Sequence, residues 1–559
     1  MHRMRPYFVI FILGAAIIGI FGFIQNTTAA QSQGLEIQDR IRQRIETGMV
    51  TVKNKKLFYM TNEVFLFYER RAYFPAWIHK DKISSQAKKL VKAIRNSDHE
   101  GLRPDDYHLE SILALMLEIQ LSRDGTEVSD IDQLVELEFL LTDAFLIYGS
   151  HLIFGRIDPI QIDPNWFIRQ SGVDMAQVLQ EALATKRVKE ALTALLPMHD
   201  EYARLREKLA VYRKIAKSGG WPTVPLKNKD LKGESRAILD KRLAIEGFMQ
   251  SAKSNKQFIF DNVLDRALAI YQFRNGLEPD GKLGPRTLQS LNVSADDRVK
   301  QIVVNMERWR WLPRDLQDRH ILVNIANFQM EVFDQKDSFL NMRVVVGKTY
   351  RMTPVFSDRM TYLVINPYWF VPESIAQTDV LNNVKEDPNY LANQEIRVIN
   401  GWENDSRMPA TKGIDWNSVS SSNWSYRFIQ DPGPRNLLGR VKFMFPNQFD
   451  VYLHDTPHKD TFTNARRDYS SGCIRVEKPL ELTEYLLRGH PDWPPTRIRH
   501  MLSGGDYSTH TVMLPEPIAI HIVYWTAWIG NDKNLYFSPD IYGRDKALFA
   551  EMQAPLTSF

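Results

Sequence analysis

The sequence predicts an α+β multidomain protein in which helical units come first and a mainly antiparallel β domain follows. Three observations carry that expectation. Apolar residues recur three and four apart before about residue 255, as on helices that bury one face. After Pro313 the period switches to that of strands in runs such as HILVNIANFQMEVFD, MRVVVGK and MTYLVINPYWF. Gly- and Pro-rich stretches, KSGGWPTVPLKNKD and GLEPDGKLG, punctuate the chain between these units.

Residues 1–30 read as a signal peptide or membrane anchor. His2, Arg3 and Arg5 form a basic head, Tyr7 to Ile24 is an uncharged apolar run, and Thr28, Ala29 and Ala30 offer small residues for a cut. Either device carries the remainder across a membrane, and membrane attachment is expected only through residues 7–24. The remaining 529 or so residues have the composition of ordinary globular protein, 44% apolar and 25% charged. A net charge of +4 argues against nucleic acid as a partner.

A helical scaffold domain is expected over 34–255, with Leu137, Leu140, Leu141, Ala144, Tyr148 and Leu152 on one helix face. From 256 to 315 a compact helical unit follows: Leu264, Ala267, Leu268 and Tyr271 make an apolar face, and Pro285 opens a second short helix. The order ALAIYQFRNGLEPDGKLGPRTLQSLN resembles the three-helix peptidoglycan-binding module. A β domain is expected over 316–505. Its segment from about 371 to 426 has few strand signals, is long for a connection, and is expected to be a capping insertion or lid. Residues 506–559 are expected to pack back on the scaffold, with IAIHIVYWTAW able to return as a strand.

The chemistry concentrates in VYLHDTPHKDTFTNARRDYSSGCIRVEKP, residues 451 to 479, which holds Cys473, the only cysteine in the chain. Outside the cytoplasm a single cysteine has no internal disulfide partner, so it is either an inert buried thiol or a working one. Period-two alternation puts Phe449, Val451 and Leu453 on one face of a strand and Tyr452 and His454 on the other, presenting His454 outward. Cys473 follows a Ser/Gly turn, and Arg475 shares its face if the next piece is extended. A thiolate is the attacking species, and a nearby imidazole or guanidinium favours it. His454 is the candidate base, and the amides of Gly472 and Cys473 are candidate oxyanion donors. Ser470 and Ser471 either orient substrate or cap the turn. The pair His454 and His458 has the spacing of a zinc helix, but Pro457 breaks such a helix, so no metal is assigned and no cofactor is expected.

YLHDTP followed by SSGCIRV resembles the signature of the L,D-transpeptidase catalytic domain. FIQDPGPRNLLGRVKFMFPNQFD and YRMTPVFSDRMTYLVINPYWFVP resemble the same family, in its large multidomain periplasmic type from Gram-negative bacteria. Ser471 stands where many members carry histidine. The resemblance implies a periplasmic enzyme that joins third residues of peptidoglycan stem peptides through a thioester on Cys473, releasing the terminal D-alanine of a tetrapeptide donor. It also implies acylation by carbapenems and dependence on a D,D-carboxypeptidase that supplies tetrapeptides. Arg475 and Tyr452 would line the donor site under the insertion, with Trp424 and Tyr426 either touching substrate or forming the lid's own core. Two alternatives stay open: a cysteine-dependent peptidoglycan hydrolase using the same pair, and a non-catalytic peptidoglycan-binding protein.

Overall fold

The computed structural model describes residues 34–556 except 49–50, 53–54, 57–58, 80–81, 125–129, 169–171, 226–232, 255–256, 261, 336, 401–413, 421 and 423. The expected leader lies outside the described residues. Helix starts in the first half are fixed by side-chain oxygens that accept orphan backbone amides: Ser84 from Ala87, Asp130 from Asp132, Asp174 from Gln177. The helix Ile131–Phe154 lies at the centre. Among the described residues, six other α-helices contact it, spanning Thr61–Arg70, Ser85–Arg95, Leu109–Asp124, Met175–Ala184, Val188–Leu195 and Ala295–Trp311.

That helix is long and apolar enough to cross a membrane, yet 89% of its most apolar window is buried inside the protein. The six residues of its expected apolar stripe are buried, and so are Glu138, Thr142 and Asp143 on its other faces. Glu138 accepts from the amides of Ala76, Trp77 and Ile78 at 2.8, 2.8 and 2.6 Å and from the Tyr68 hydroxyl at 2.8 Å. The segment after Pro75 is thereby tied to the centre of the scaffold.

The compact helical unit begins earlier than the expected 256. Val224, Leu239, Leu243, Phe248 and Ala252 share one core with Leu264, Leu268, Tyr271 and Leu291, so the helices Glu234–Ile245 and Phe248–Ser254 belong to it. It also ends earlier than 315. The helix Ala295–Trp311 leaves the unit, lies along the helix Asp200–Lys217, and sends Ile302, Met306, Trp309 and Trp311 into the core of the β domain. Periodicity reveals that a helix has an apolar face, but not which neighbour covers it.

Nine strands form the main sheet. They are β1 His320–Asn324, β2 Gln329–Asp334, β3 Asp337–Gly347, β4 Phe356–Ile365, β5 Val441–Met444, β6 Leu453–His454, β7 Asp468–Ser470, β8 Ile474–Val476 and β9 His510–Val523. Their order is β7-β3-β8-β6-β5-β4-β9-β1-β2, and β2 also pairs with β3, so eight strands close on themselves with β7 outside the ring. Most pairs are antiparallel; β9 with β1, β6 with β8, and β7 with β3 are parallel. Closure removes the free edges of those eight strands, which would otherwise invite pairing with another chain.

Two further expectations need correction. The segment 506–559 does not simply pack on the scaffold: β9 is an internal strand of the sheet, with Val512 opposite Leu363 and Ile520 opposite Ile321. Only after it does the chain reach the helical half, where Arg156 Nη1 donates to Glu551 O at 2.9 Å. The insertion also runs beyond the expected 371–426, because its one full internal strand pairs with strands at the segment's edges. Ile396–Asn400, Tyr426–Gln430 and Trp369–Phe370 form a separate three-stranded antiparallel sheet. Its core gathers Trp369, Ala376, Val380, Val384, Val398 and Phe428, and Tyr452 of the main domain packs against it.

Candidate active site

Register brings the expected chemistry together. In the parallel pair β6 and β8, Leu453 lies opposite Ile474 and His454 opposite Arg475, and the Ile474 amide donates to Tyr452 O at 3.1 Å. Across the other edge of β6, Lys442 of β5 lies opposite His454. Successive side chains alternate between faces. Val451, Leu453, Ile474 and Val476 enter the core, so Lys442, Tyr452, His454, Cys473 and Arg475 share the opposite face.

The turn before the nucleophile is held at every residue. Gly472 has φ +116°, a conformation that favours glycine. The Thr353 hydroxyl donates to Gly472 O at 2.8 Å while accepting from the Gly347 amide at 2.9 Å. The Ser470 hydroxyl donates to Cys473 O at 2.5 Å and accepts from the Gly472 amide at 3.2 Å. Gly472 N–H is therefore already engaged, contrary to its expected role as a free oxyanion donor. The Cys473 amide has no protein partner among the described residues and points to that role alone. Ser471 accepts from Arg351 at 2.9 Å.

His454 is 5% exposed, so it is not presented outward as alternation alone suggested. The Tyr452 ring stands 5.7 Å away, edge to face. Its Nδ1 lies 2.5 Å from Asp455 O, and a carbonyl can only accept, so Nδ1 carries the proton and Nε2 keeps its lone pair. Asp455 is itself fixed: its carboxylate accepts from the Arg440 and Thr456 amides at 2.8 and 2.7 Å and pairs with Lys459. Gly439, at φ +62°, leaves the room this needs, because a Cβ there would sit 2.4 Å from the Asp455 carboxylate.

Burial, then the Arg475 charge, hold His454 down to about 3, so the imidazole is neutral at rest. Burial pushes the Cys473 thiol above its ordinary value, opposed by hydrogen bonding to Tyr452 and by the Lys442 charge. Burial also lowers Lys442 and Arg475. Lys442 Nζ stands 3.7 Å over the Tyr452 ring and has no ion-pair or hydrogen-bond partner among the described residues. Arg475 Nε is buried without a partner as well. Two weakly committed cations thus flank a neutral thiol and a neutral imidazole.

Trp424 contacts Tyr426 and Phe428, and Tyr426 contacts Trp416, ring to ring, against the insertion's core. His458 is exposed. Sequence reading missed Lys442, although alternation in VKFMF would have placed it on the face opposite Val441 and Phe443. A backbone carbonyl near Asp455 was within its reach as the group that orients His454, but Arg351 as the partner of Ser471, 120 residues away, lies beyond any local pattern.

Three family models match separate parts of the chain. Residues 318–496 match the L,D-transpeptidase catalytic domain, residues 232–291 the "Putative peptidoglycan binding domain", and residues 62–209 a scaffold domain. A curated relative from Haemophilus influenzae, named "Putative L,D-transpeptidase", is 32% identical over 286 residues, which span 50% of this chain and 56% of the relative. A solved structure entitled "Structure of the Ldtfm-avibactam carbamoyl enzyme" aligns with 38% of this chain and 51% of its own at 10% identity and a TM-score of 0.18, too low to support any inference. The sheet that sets Cys473 beside Tyr452 and His454 lies largely within the first match, so the chain carries a region similar to the L,D-transpeptidase catalytic domain beside one similar to a peptidoglycan binding domain, and it spans about half the length of the curated relative it matches.

Proposed function

We propose that the protein is a periplasmic L,D-transpeptidase that crosslinks third residues of peptidoglycan stem peptides through a Cys473 thioester. The observation that carries the proposal is the β6–β8 register, which puts the thiol on the same face as the imidazole and two positions away along the strands, with the Leu453–Ile474 pair between them. Cys473 Sγ attacks the carbonyl of the third residue of a tetrapeptide donor, at the L-centre of meso-diaminopimelate. The thiol proton passes to His454 Nε2 and then to the leaving amine, so the carbon–sulfur bond forms as D-alanine departs. In the second step an acceptor side-chain amine attacks the thioester, gives its proton to His454, and the thiol is regenerated as the new amide forms.

A neutral imidazole with a free Nε2 suits that traffic. It accepts a proton, and the neighbouring Arg475 and Lys442 charges make the imidazolium short-lived, favouring transfer to the leaving group. The Cys473 amide supplies an oxyanion donor, an interaction worth about 3–4 kcal/mol in a shielded site. Packing of Tyr452 on the insertion's core supports a covered donor site from which water is excluded. Export by residues 1–30, inner-membrane attachment through 7–24 and supply of tetrapeptides by a D,D-carboxypeptidase complete the proposal.

Two measurements test it. Exposure of the full chain to a carbapenem, followed by intact-mass and peptide mapping, is expected to give one adduct at Cys473, and its absence there removes the nucleophile. Incubation with purified disaccharide tetrapeptide is expected to give crosslinked dimer and free D-alanine. Tripeptide without dimer would make the enzyme a hydrolase instead.

A further inference from the structure

One arginine joins the insertion to the nucleophile turn. Arg351 sits in the loop between β3 and β4. Its Nη1 donates to Asp379 Oδ2 at 2.7 Å and to Ser471 Oγ at 2.9 Å; its Nη2 donates to Thr378 Oγ1 at 2.6 Å and to Asp379 Oδ1 at 3.2 Å. Thr378 and Asp379 lie in the insertion, within a wide helical turn at Ala376–Val380 that interrupts its first helix. Such turns recur at functional positions because they re-aim side chains out of the helical register. The backbone of the same loop packs closely on the turn: a Cβ on Gly347 would collide with Arg351 O, and one on Gly472 would sit 4.0 Å from it.

We propose that Arg351 is a positioning residue that latches the insertion to the turn carrying Cys473, so that closure of the cap and alignment of the nucleophile are one event. Ser471 is the receiving end of the latch. A hydroxyl offers an acceptor to the guanidinium, whereas a protonated imidazole at that position would face a like charge. Ser471 is thereby matched to Arg351 and Asp379. The fork geometry matters: a guanidinium bonds two oxygens of Asp379 and the serine at once, which an ammonium cannot reproduce. The proposal rests on Cys473 as nucleophile, and its test is built to fail separately.

The test compares wild type, Arg351→Lys, Asp379→Asn, Ser471→Ala and the double variant of the last two, each as the full chain. Carbapenem acylation of Cys473, followed by intact mass, is expected to slow about tenfold in Arg351→Lys, the loss of one charge-assisted bond, with unchanged far-UV spectrum and melting temperature. Alkylation of Cys473 by iodoacetamide, which needs no aligned acyl group, is expected to be as fast or faster. Amide exchange over 373–386 is expected to speed up in Arg351→Lys and Asp379→Asn. Asp379→Asn is expected to add little to the acylation loss of Ser471→Ala, since both break the same latch. Losses that multiply independently, or an Arg351→Lys variant with wild-type acylation and exchange, would overturn the latch. Absence of a wild-type adduct would instead remove the nucleophile, and the exchange measurement would still report on the latch.

Discussion

Two buried polar assemblies in this chain are built on opposite principles. Around Glu138 in the scaffold both carboxylate oxygens are engaged, by three backbone amides and a tyrosine hydroxyl. On the catalytic face Lys442 and Arg475 Nε stand without such partners, the Cys473 amide is unpaired, and His454 Nε2 has no protein partner among the described residues. Burial raises Glu138 above the ordinary carboxylate value just as it displaces the groups around Cys473, so a shifted proton affinity does not distinguish the two. Saturation does. A filled network holds a fold together, whereas open valences kept dry have a cost that only a ligand or a reaction offsets.

The sharpest way to break that comparison is to remove the centre of each assembly. Glu138→Ala leaves the amides of Ala76, Trp77 and Ile78 without this acceptor, at about 1–3 kcal/mol each before relaxation, while the Tyr68 hydroxyl keeps the carbonyl of residue 138 and Thr142. A loss of about 3–5 kcal/mol in the denaturant-induced unfolding of the scaffold is expected, followed by tryptophan fluorescence of Trp77 and circular dichroism. Iodoacetamide labelling of Cys473 under native conditions should not change. If Glu138→Ala leaves the unfolding midpoint where it was, saturation is not what makes that site structural.

Lys442→Met is the counterpart on the catalytic face and carries a smaller stability effect. It keeps an aliphatic stem of similar length while deleting a half-buried charge that has the Tyr452 ring beneath it but no ion-pair partner among the described residues, so stability is expected to stay within about 1 kcal/mol. Reactivity falls instead. Lys442 pulls the Cys473 thiol down, so its removal lets that thiol titrate higher and slows alkylation at neutral pH severalfold. A variant that loses stability without slowing alkylation would place Lys442 with Glu138, as a structural residue.

The local half of this architecture was legible because its signals are local. Alternation in VYLH assigned faces, the SSG turn placed the thiol, and the switch of period after Pro313 marked the β domain. Contacts across long sequence separations were not legible. The last strand of the main sheet, His510–Val523, is inserted between strands that precede it by about 150 and 190 residues, and pattern alone could not choose between a return to the sheet and a return to the scaffold. The same holds for helix Ala295–Trp311, whose apolar face fits either neighbour. Burial of His454 required knowing that Tyr452, Lys442 and Arg475 surround it, and the engaged Gly472 amide required knowing which way the Ser470 hydroxyl turns.

The subtlest effect separates the resting state of this site from a thiolate–imidazolium pair. With His454 held at about 3 and the Cys473 thiol pushed up, the proton stays on sulfur at neutral pH. The alkylation rate should therefore climb steadily from pH 6 through the ordinary thiol range near 9, with no plateau below it. For His454 the sign runs toward instability in acid. The unfolded imidazole titrates near 6.5 and the folded one near 3, so between those values the unfolded chain binds the extra proton. Its contribution to stability is complete above about 6.5 and is lost as the pH falls toward 3. His454→Asn should flatten the stability profile in that window only, and should leave the slope above pH 7 unchanged. An alkylation plateau below pH 7 in wild type, abolished by the same substitution, would show that the pair rests as ions and that Lys442 and Arg475 do not govern its charge.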